Sequence, residues 1–597
     1  MTEAPVGSLA ELLASRVGLT PAAEAYREFD AARREWVSYS WSEIGRRVVQ
    51  WRRALQAEHL PAGSRVAVLV ANSVAHVCID QAALALGYVP VPLHVIDNPE
   101  NLAYLLEDSG AALLVMDSAR RWDMLAPLSG RLRNLQRVVY LRGAAAGQPH
   151  ALVRSLEAWL AAGAQMQPQG VAPAALGPSS LAAIVYSSGT TGRPKGVMLS
   201  HGNVLANVYA VLDAVPVFAS DLFLSFLPLS HTFERTVGYY LPIAAGAAVA
   251  YARSVGQLAE DLRTVRPTAL ISVPRIYERA YAKLQESLAG KPLARALFEW
   301  TVQLGWQRFN QARGLAAAPP LWARLLWPLL DRVVARPVRG GFGGRMRVAV
   351  TGGAPMPLAV ARPFLACRLP LLQGYGMTES APVVACNRLT NNHPESVGPA
   401  LAGLEVRTDA DDELLVRGAS VMLGYWQRPE DSARALAGGW LHTGDQAQIV
   451  AGRISIKGRL KDIIVTSTGE KIAPLDLEAA ILTDPVFEQV MVLGEARPFI
   501  AALAVLNPQH WMREARSLGL APEDAASLGS DSALKWALGR ITAAVCNLPS
   551  YARPRAVALS LTPWTVADGL LTPTLKPKRA AIEQRFAAQI ATLYAGH

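Results

Sequence analysis

A run of glycines, hydroxyl side chains and one lysine occupies residues 186–201, which read YSSGTTGRPKGVMLSH. Glycine permits tight turns and lets the backbone come close to a ligand. Successive backbone N–H groups in such a turn form a concave site for anions. The hydroxyls add hydrogen-bond donors, and Lys195 adds a mobile positive charge. These residue types suit the binding of a polyphosphate.

The spacing around Lys195 differs from that of a Walker A loop, which requires G-x-x-x-x-G-K-[ST]. Pro194 precedes this lysine and Gly196 follows it. The simpler alternative is an ordinary strand-to-helix loop, because residues 181–185 have the apolar character of a strand and residues 203–207 look like a helix start. The nucleotide interpretation therefore depends on further motifs.

A second group of chemically capable residues lies at 373–380, which read QGYGMTES. Tyr375 offers a flat face for a purine, Thr378 can donate a hydrogen bond to a phosphate, and Glu379 offers a hard oxygen ligand for magnesium. A Thr-Glu pair alone is more often the start of a helix. Combined with the upstream glycine-rich run, the string favours a nucleotide site.

Five other strings carry candidate polar groups, and most of them have a simpler alternative. Residues 227–235 read LPLSHTFER, where a lone histidine is more often a hydrogen-bonded structural group. Residues 350–356 read VTGGAPM, which predicts a strand that runs into a glycine turn. Residues 458–464 read GRLKDII, a cluster that is usually a solvated surface, and residues 440–445 read WLHTGD. Residues 569–579 read GLLTPTLKPKR, which alone predicts a basic helix start.

Taken in order over roughly residues 40–580, these strings resemble the motifs of the adenylate-forming superfamily of acyl-CoA synthetases, peptide-synthetase adenylation domains and beetle luciferases. LPLSHTFER, and SVPRIYER at 272–279, look most like long-chain fatty acid–CoA ligases. The resemblance implies an AMP-forming ligase that uses ATP, Mg²⁺ and coenzyme A. It would convert a long-chain fatty acid to an acyl-adenylate and then to acyl-CoA, with release of AMP and pyrophosphate. Two alternatives are a fatty acyl-AMP ligase that loads a carrier protein and a binding protein without catalytic activity.

The resemblance also implies residue roles. It assigns catalysis to Lys576, Glu379 and His231, with Glu379 as the metal ligand. It assigns contacts with ATP or coenzyme A to Ser187, Ser188, Gly189, Thr190, Thr191, Gly192, Lys195, Gly353, Gln373, Gly374, Tyr375, Gly376, Thr378, Asp445, Arg459, Lys461 and Gly469.

Within that set, Asp445 would accept the ribose hydroxyls, Lys461 would be the hinge of a mobile domain, and Gly469 would guide the thiol. The superfamily usually has glycine directly before its catalytic lysine, whereas Leu575 stands there in this chain. Lys578 therefore remains the alternative to Lys576.

Composition limits the class of protein. The 597 residues are too many for one ordinary domain, and 51% hydrophobic with 18% charged residues indicates a folded globular chain. The four cysteines are scattered, which disfavours a zinc site or disulfide framework and fits a reducing compartment. The net charge of +10 could suit nucleic acid, anionic lipid or acidic substrates. No nucleic-acid recognition motif accompanies it, so we exclude nucleic acid as a partner.

The elements that must position these groups follow an α/β pattern, with strands alternating with helices and a Ser40–Glu43 capping box that opens a helix. We expect a large N-terminal domain of parallel-rich subdomains at residues 1–458 and a small mobile α+β domain at residues 459–597 that carries the catalytic lysine. A basic, Trp-bearing helical insertion is expected at about residues 291–344.

This insertion has two interpretations: it packs its tryptophans on the core, or it rests on anionic lipid. The first residues lack the features of a signal peptide. We therefore expect a cytoplasmic protein, with peripheral contact at the inner face of the membrane as the second interpretation requires. The sequence leaves the oligomeric state open.

Overall fold

The computed structural model describes residues 6–143, 151–165, 176–187, 193–572 and 576–595. Strands and helices alternate along most of the chain, and parallel pairs dominate the eight-stranded sheet and one of the two five-stranded sheets. The predicted α/β class is therefore confirmed. Within the described ranges, no helix combines the length and the apolar character that crossing a membrane requires.

The strands are short, and many are apolar over their whole length because both faces of their sheet are covered. In chain order they are β1 Glu24–Asp30, β2 Glu35–Ser40, β3 Arg65–Leu69, β4 Val89–Pro92, β5 Leu113–Ser118, β6 Arg137–Arg142, β7 Val153–Ser155, β8 Leu181–Ser187, β9 Lys195–Ser200, β10 Leu222–Ser225, β11 Ala248–Tyr251, β12 Ala269–Ser272, β13 Val348–Thr351, β14 Leu371–Gly376, β15 Val383–Cys386, β16 Gly398–Pro399, β17 Leu404–Thr408, β18 Glu413–Gly418, β19 Gly424–Tyr425, β20 Leu441–Val450, β21 Arg453–Arg459, β22 Ile464–Val465, β23 Lys471–Ile472, β24 Phe487–Leu493, β25 Ala501–Leu506 and β26 Ala556–Ser560.

Several helices begin at a serine, asparagine or aspartate whose side chain accepts a hydrogen bond from the first turn, and the capping box of Ser40 and Glu43 is present. In chain order they are α1 Leu9–Leu19, α2 Trp41–Gln56, α3 Val74–Ala85, α4 Pro99–Ser109, α5 Ala119–Leu125, α6 Leu156–Ala164, α7 His201–Ala214, α8 Leu241–Ala245, α9 Leu258–Val265, α10 Pro274–Leu288, α11 Pro292–Ala312, α12 Leu321–Leu330, α13 Arg336–Gly341, α14 Leu358–Ala366, α15 Pro429–Ala435, α16 Pro474–Ile481, α17 Pro508–Ser517, α18 Ala525–Leu528, α19 Asp531–Ala544, α20 Arg579–Arg585 and α21 Ala587–Leu593.

Two sheets form the large N-terminal part. One has the order β15-β14-β13-β12-β10-β11-β1-β2, parallel from β14 to β1, with antiparallel strands at its two ends. The other has the order β4-β3-β5-β6-β7 and is parallel throughout. In open parallel sheets, ligand sites form beyond the carboxyl ends of the strands. In this chain β13 and β14 end near Thr351 and Gly376, at the strings singled out for chemistry.

A third sheet corrects one expectation. After β8 we expected a loop and then a helix. Instead, Lys195–Ser200 is a strand that pairs antiparallel with β8. Val197 and Leu199 are buried and place this strand against the core. The described strands β8 and β9 therefore form an antiparallel pair, and α7 follows β9 directly, capped by Ser200 and Asn203.

The last part of the chain has its own sheets, β22-β23 and β24-β25-β26, and its own hydrophobic clusters. A five-stranded antiparallel sheet of β16, β21, β20, β18 and β17 precedes it and ends at Arg459. The domain limits 1–458 and 459–597 remain a prediction.

The insertion at residues 291–344 is helical, as expected. It consists of α11, α12, a π-helical turn at Asp331–Ala335, and α13. α11 packs closely on α14 at Gly305. A Cβ added at this glycine would lie 2.2 Å from the backbone oxygen of Ala366. Trp327 is buried, whereas Trp300 and Trp322 are exposed. The insertion thus buries Trp327 among its own residues, packs Trp306 and Phe309 against the core, and leaves Trp300 and Trp322 in solvent.

Candidate active site

One cleft of about 2830 Å³ brings together most of the predicted site residues. Strands of the N-terminal sheets and segments after residue 459 both contribute to its lining. The predicted residues that line it are Ser187, Lys195, His231, Gly353, Gln373, Gly374, Tyr375, Gly376, Thr378, Glu379, Asp445, Arg459, Lys461 and Lys576. Ser188, Gly189, Thr190, Thr191 and Gly192 lie outside the described residues.

An aromatic ring, a carboxylate and a guanidinium meet at the end of β14. The Tyr375 hydroxyl donates to Asp445 Oδ2 at 2.5 Å, and Arg459 Nε lies 3.2 Å from Asp445 Oδ1. Asp445 and Arg459 are direct partners in the β20–β21 pairing, so the strand register fixes this contact. Burial raises the pKa of Asp445, and the charge of Arg459 opposes that shift. The cluster offers a carboxylate acceptor beside a planar ring, which suits a nucleoside.

Glu379 lies in a short 3₁₀ turn, Thr378–Ser380, directly after β14. Its side chain is buried and accepts a hydrogen bond from the Tyr425 hydroxyl at 2.8 Å. Burial raises the pKa of Glu379, while hydrogen bonds, including that from Tyr425, lower it. A cation bound at the cleft would favour the charged form. The Glu379 carboxylate and the Thr378 hydroxyl are hard oxygen donors that fit Mg²⁺.

Lys195 begins β9, at the base of the glycine-rich hairpin. Its Nζ lies 2.8 Å from Asp431 Oδ2 and 5.2 Å from the centre of the Tyr425 ring. The hydrogen bond with Lys195 is the largest of the effects that lower the pKa of Asp431. The Ser187 hydroxyl donates to the Lys195 carbonyl at 3.4 Å across the hairpin. The lysine is therefore half-exposed at the cleft, held by a partner that an anionic ligand would displace.

Asp108, near the end of α4, holds the base of this hairpin in place. The Tyr186 hydroxyl donates to Asp108 Oδ2 and Arg428 Nη2 donates to Asp108 Oδ1, both at 2.7 Å. Trp426 Nε1 donates to the Asp108 carbonyl at 3.1 Å. One residue thus joins α4, β8 and the segment that follows β19.

Lys576 reaches the cleft from the last part of the chain and keeps access to solvent there. Removal of bulk water around its ammonium lowers its pKa; Arg459 adds to this effect and Asp445 opposes it. The same ammonium acts on His231, whose pKa falls to about 3 through burial, His94 and Lys576. His231 is therefore a neutral imidazole at physiological pH. The lysine and this histidine both line the cleft.

Two glycines of the site are required by geometry. A Cβ at Gly376 would lie 2.1 Å from the backbone oxygen of Pro382, so no other residue fits between β14 and β15. Gly353 has a φ of +80°, a conformation that side-chain-bearing residues rarely adopt. Gly376 thus allows β14 to approach the segment at Pro382 closely, and Gly353 allows the backbone to turn at the cleft wall.

Gly469 stands apart from the other predicted residues. It occupies an exposed turn with a φ of +83° and is not part of the cleft lining. Lys461 lies exposed in the 3₁₀ turn Leu460–Asp462 at the cleft edge. Lys578 also lies outside the lining, near Asp97, where burial raises the pKa of that carboxyl and the charge of Lys578 opposes the shift. The structure therefore brings Lys576, but neither Gly469 nor Lys578, to the other groups.

Sequence reasoning missed three residues that contact the predicted ones. Tyr425 bonds to Glu379, Asp431 pairs with Lys195, and His94 accepts or donates a hydrogen bond with Ser230 at 2.7 Å. The GYW string at 424–426 was the available signal for the first two. Its position became clear only through the antiparallel pairing of β19 with β9.

Comparison with protein families gives two matches. A family described as AMP-binding enzyme matches residues 16–426, and a family described as AMP-binding enzyme C-terminal domain matches residues 461–597.

Similar proteins are known from several organisms. The chain is 31% identical to a long-chain-fatty-acid–CoA ligase, FadD15, of Mycobacterium tuberculosis, over 94% of this chain and 92% of that one. It is 27% identical to a long-chain-fatty-acid–[acyl-carrier-protein] ligase, AEE15, of Arabidopsis thaliana, over 93% of this chain and 82% of the relative.

Solved structures share the fold. An anthranilate CoA ligase, AuaEII, in complex with anthranoyl-AMP superposes with a TM-score of 0.72 at 20% identity, over 99% of both chains. The adenylation domain of a carboxylic acid reductase from Segniliparus rugosus, in complex with AMP and a carboxylic acid, gives a TM-score of 0.75 at 22% identity, over 100% of this chain and 95% of that one.

Proposed function

We infer that this chain, which belongs to the family of AMP-binding enzymes, is an AMP-forming long-chain fatty acid–CoA ligase. It activates the acid with ATP to an acyl-adenylate and transfers the acyl group to coenzyme A, releasing pyrophosphate and AMP. The observation that carries this proposal is the single cleft in which Lys195, Glu379, Asp445 and Arg459 meet Lys576.

The electrostatics of the cleft suit the first step. A carboxylate must attack the α-phosphorus of ATP although both groups are anionic, so preformed positive charge must offset their repulsion. Lys576, beside His231, is placed to contact the carboxylate and the α-phosphate together. Lys195, once released from Asp431, would hold the departing pyrophosphate. The pairing of Asp445 with Tyr375 supports the assignment of the ribose and the purine to that end of the cleft.

Mg²⁺ would be held by Glu379, with the Thr378 hydroxyl as a second donor. A bound divalent cation neutralises phosphate charge and orients the nucleotide. His231 cannot carry charge at neutral pH. We assign it the orientation of the acid carboxylate by hydrogen bonding.

The acyl chain would lie against an apolar wall of the same cleft. This wall combines side chains from α7, the strands of the large sheet and the segment that precedes α8: Val211, Val215, Val217, Phe223, Val237, Leu241, Ile271, Val348 and Val350. Each methylene that it buries contributes about 0.8 kcal/mol. Catalytic efficiency should therefore rise with chain length until the wall is covered.

A pyrophosphate-release assay over a panel of acids, with and without coenzyme A, tests this proposal. We expect dodecanoate and longer acids to exceed acetate by several orders of magnitude in kcat/KM. A preference for acetate or coumarate would reject the long-chain assignment. Absence of acid-dependent pyrophosphate release with every acid would favour a binding protein without catalytic activity.

A fatty acyl-AMP ligase that loads a carrier protein is the second candidate, because one relative is named an acyl-carrier-protein ligase. The chemistry of the first step is the same in both cases. Incubation of the enzyme with ATP and acid, followed by either coenzyme A or a phosphopantetheine-bearing carrier protein, separates them. Thioester formation on coenzyme A at the rate of adenylate formation supports the first proposal.

We further propose that the two steps use two faces of the last part of the chain. In this structure Lys576 lines the cleft while Gly469 lies outside it in an exposed turn. If Gly469 guides the thiol, the region after Lys461 must rotate between steps. A few backbone positions can absorb such a rotation.

We propose a cytoplasmic location with reversible contact at the inner face of the membrane. A long-chain acid partitions strongly into bilayers, so its enzyme gains access to substrate at such a surface. Fractionation of cells at low and at high salt tests this location. Recovery of the protein in the soluble fraction under both conditions would contradict the membrane contact.

A further inference from the structure

A row of large apolar side chains on α12 and the π-helical turn after it points into solvent. The residues are spaced four apart, so they lie on one face of a continuous helix. Their exposed fractions are 72% for Leu321, 75% for Leu325, 58% for Leu329 and 52% for Val333, with 62% for the neighbouring Trp322. We call these five residues the α12 face. It extends over about 18 Å at 1.5 Å per residue.

The opposite side of the same helix already has its partner. Ala323, Trp327 and Leu330 are buried together with Leu304 of α11. α12 therefore has one buried apolar side, and the α12 face is a second apolar surface of the same helix. Contiguous exposed apolar surface of this kind marks an interaction site more often than chance exposure does.

Arginines follow the α12 face along one edge. Arg324, Arg332 and Arg336 are spaced eight and four residues apart, so they lie on the same side of the helix. All three are exposed. None of them forms an ion pair with an acidic group in the described ranges. Residues 291–344 hold eight lysines and arginines but two acids.

Both acids of this segment are already paired. Glu299 contacts Arg295, and Asp331 contacts Arg339. The segment thus carries +6 of the net +10 of the chain. Asp331 is paired with Arg339 but is also influenced by the charge of Arg336, whereas Arg324 and Arg332 have no acidic ion-pair partner in the described ranges.

A second exposed apolar group lies on α11. Leu293, Leu297 and Trp300 are spaced at three and four residues and are exposed, while Phe298, Thr301 and Leu304 on the other side are buried. Tryptophan is enriched where an apolar phase meets water. The insertion therefore exposes leucine, tryptophan and arginine together, which is the composition of helices that lie in a membrane interface.

We propose that the α12 face docks on an anionic bilayer, with its leucines at the acyl boundary and Arg324, Arg332 and Arg336 on lipid phosphates. Antiparallel packing of two copies through this face fits poorly, because the two-fold axis would place the two arginine edges side by side while Asp331 of each copy is already paired with Arg339. Lipid phosphates supply negative charge beside an apolar phase at any point of the edge. This inference rests on the proposed function, because the reason for the contact is that the membrane supplies the long-chain acid.

Vesicle cosedimentation of the full chain tests the docking without any substrate. The vesicles contain phosphatidylcholine alone or with one third phosphatidylglycerol, at low and at high salt. One variant combines Leu321→Ser, Leu325→Ser and Leu329→Ser; the other combines Arg324→Gln, Arg332→Gln and Arg336→Gln. Matched controls place serine at exposed Leu19, Met124 and Val450, and glutamine at exposed Arg53, Arg120 and Arg133.

We expect the wild type and both controls to bind anionic vesicles at low salt and to bind far less at high salt. Removing three arginines should weaken partitioning about a hundredfold. The serine variant should lose binding at both salt levels. The proposal is overturned if the wild type does not sediment with anionic vesicles, if the two variants bind like their controls, or if the α12 face instead supports a dimer in analytical ultracentrifugation.

Adenylation of a soluble medium-chain acid, measured without vesicles, separates this proposal from the function itself. We expect both variants to retain wild-type rates in that assay, because the α12 face does not line the cleft. With the acid supplied inside anionic vesicles, their rates should fall together with binding. Wild-type vesicle binding without any adenylation would reject the proposed function and leave the docking proposal standing.

Discussion

Replacement of Glu234 by glutamine should remove a large pH dependence of stability. Glu234 begins the π-helical turn Glu234–Tyr240 and is 1% exposed. Neither of its carboxylate oxygens has a hydrogen-bonding partner among the described residues. A Cβ at Gly238 would lie 2.5 Å from its carboxyl group, so only glycine leaves room for it. Burial raises the pKa of Glu234 to about 8, and Ser225 offsets the shift slightly.

The sign follows from proton linkage. Since the pKa in the folded state lies above the reference value of 4.5, the folded chain binds this proton more tightly than the unfolded chain. The resulting stabilisation is complete below pH 4.5 and is lost as the pH rises through about 8. Between pH 5.5 and 8 the loss amounts to about 3 kcal/mol. Glutamine keeps the shape and the neutral state, so Glu234→Gln should not show this loss.

The assay compares the unfolding temperature of the N-terminal part in the wild type and in Glu234→Gln from pH 5.5 to 8. With an unfolding entropy of about 2.1 cal/mol/K per residue over roughly 400 residues, 3 kcal/mol corresponds to about 3.5 °C. The wild type should lose that much relative to the variant as the pH rises. Asp123→Asn, at an exposed carboxylate, serves as the control and should follow the wild type. Parallel profiles for the wild type and Glu234→Gln would refute the assignment of a neutral buried carboxyl.

Three further predictions address the reaction and the core. Lys576→Ala should lower acid-dependent pyrophosphate release at least about a hundredfold while a supplied acyl-adenylate still reacts with coenzyme A; equal damage from Lys578→Ala would contradict the choice between the two lysines. Lys461→Pro should spare adenylate formation and slow thioester formation at least about tenfold, because proline restricts φ at the hinge; unchanged rates of both half-reactions would reject the rotation. Asp80→Asn should destabilise the fold by about 3–5 kcal/mol, since it leaves Arg235 charged and buried without its ion-pair partner; a denaturation midpoint equal to that of the wild type would show that the pair contributes little.

Much of the candidate site could be located from local strings. Glu379 and Tyr375 follow one strand end, and Asp445 and Arg459 end up as direct partners in one strand pairing. The sequence analysis did not predict that Lys195 begins a strand, because the glycine-rich run has the composition of a loop. The apolar residues Val197 and Leu199, two positions apart, were the overlooked signal.

Sequence alone determined the α/β class, the capping box of α2 and the helical character of residues 291–344. These properties depend on residues a few positions apart: apolar periodicity, a side chain that caps the next turn, and the helix propensity of the segment. They are therefore readable without knowledge of the rest of the chain.

Only the tertiary structure decided which charges meet. Asp431 pairs with Lys195, and Tyr425 donates a hydrogen bond to Glu379, because β19 pairs with the edge of β9. The sequence of neither segment predicts this strand pairing. The exposure of the α12 face was equally hidden, since helical spacing marks two apolar sides and packing on α11 selects one of them. The global arrangement of strands and helices determines which residues far apart in sequence become electrostatic or packing partners. A local sequence pattern does not contain this information.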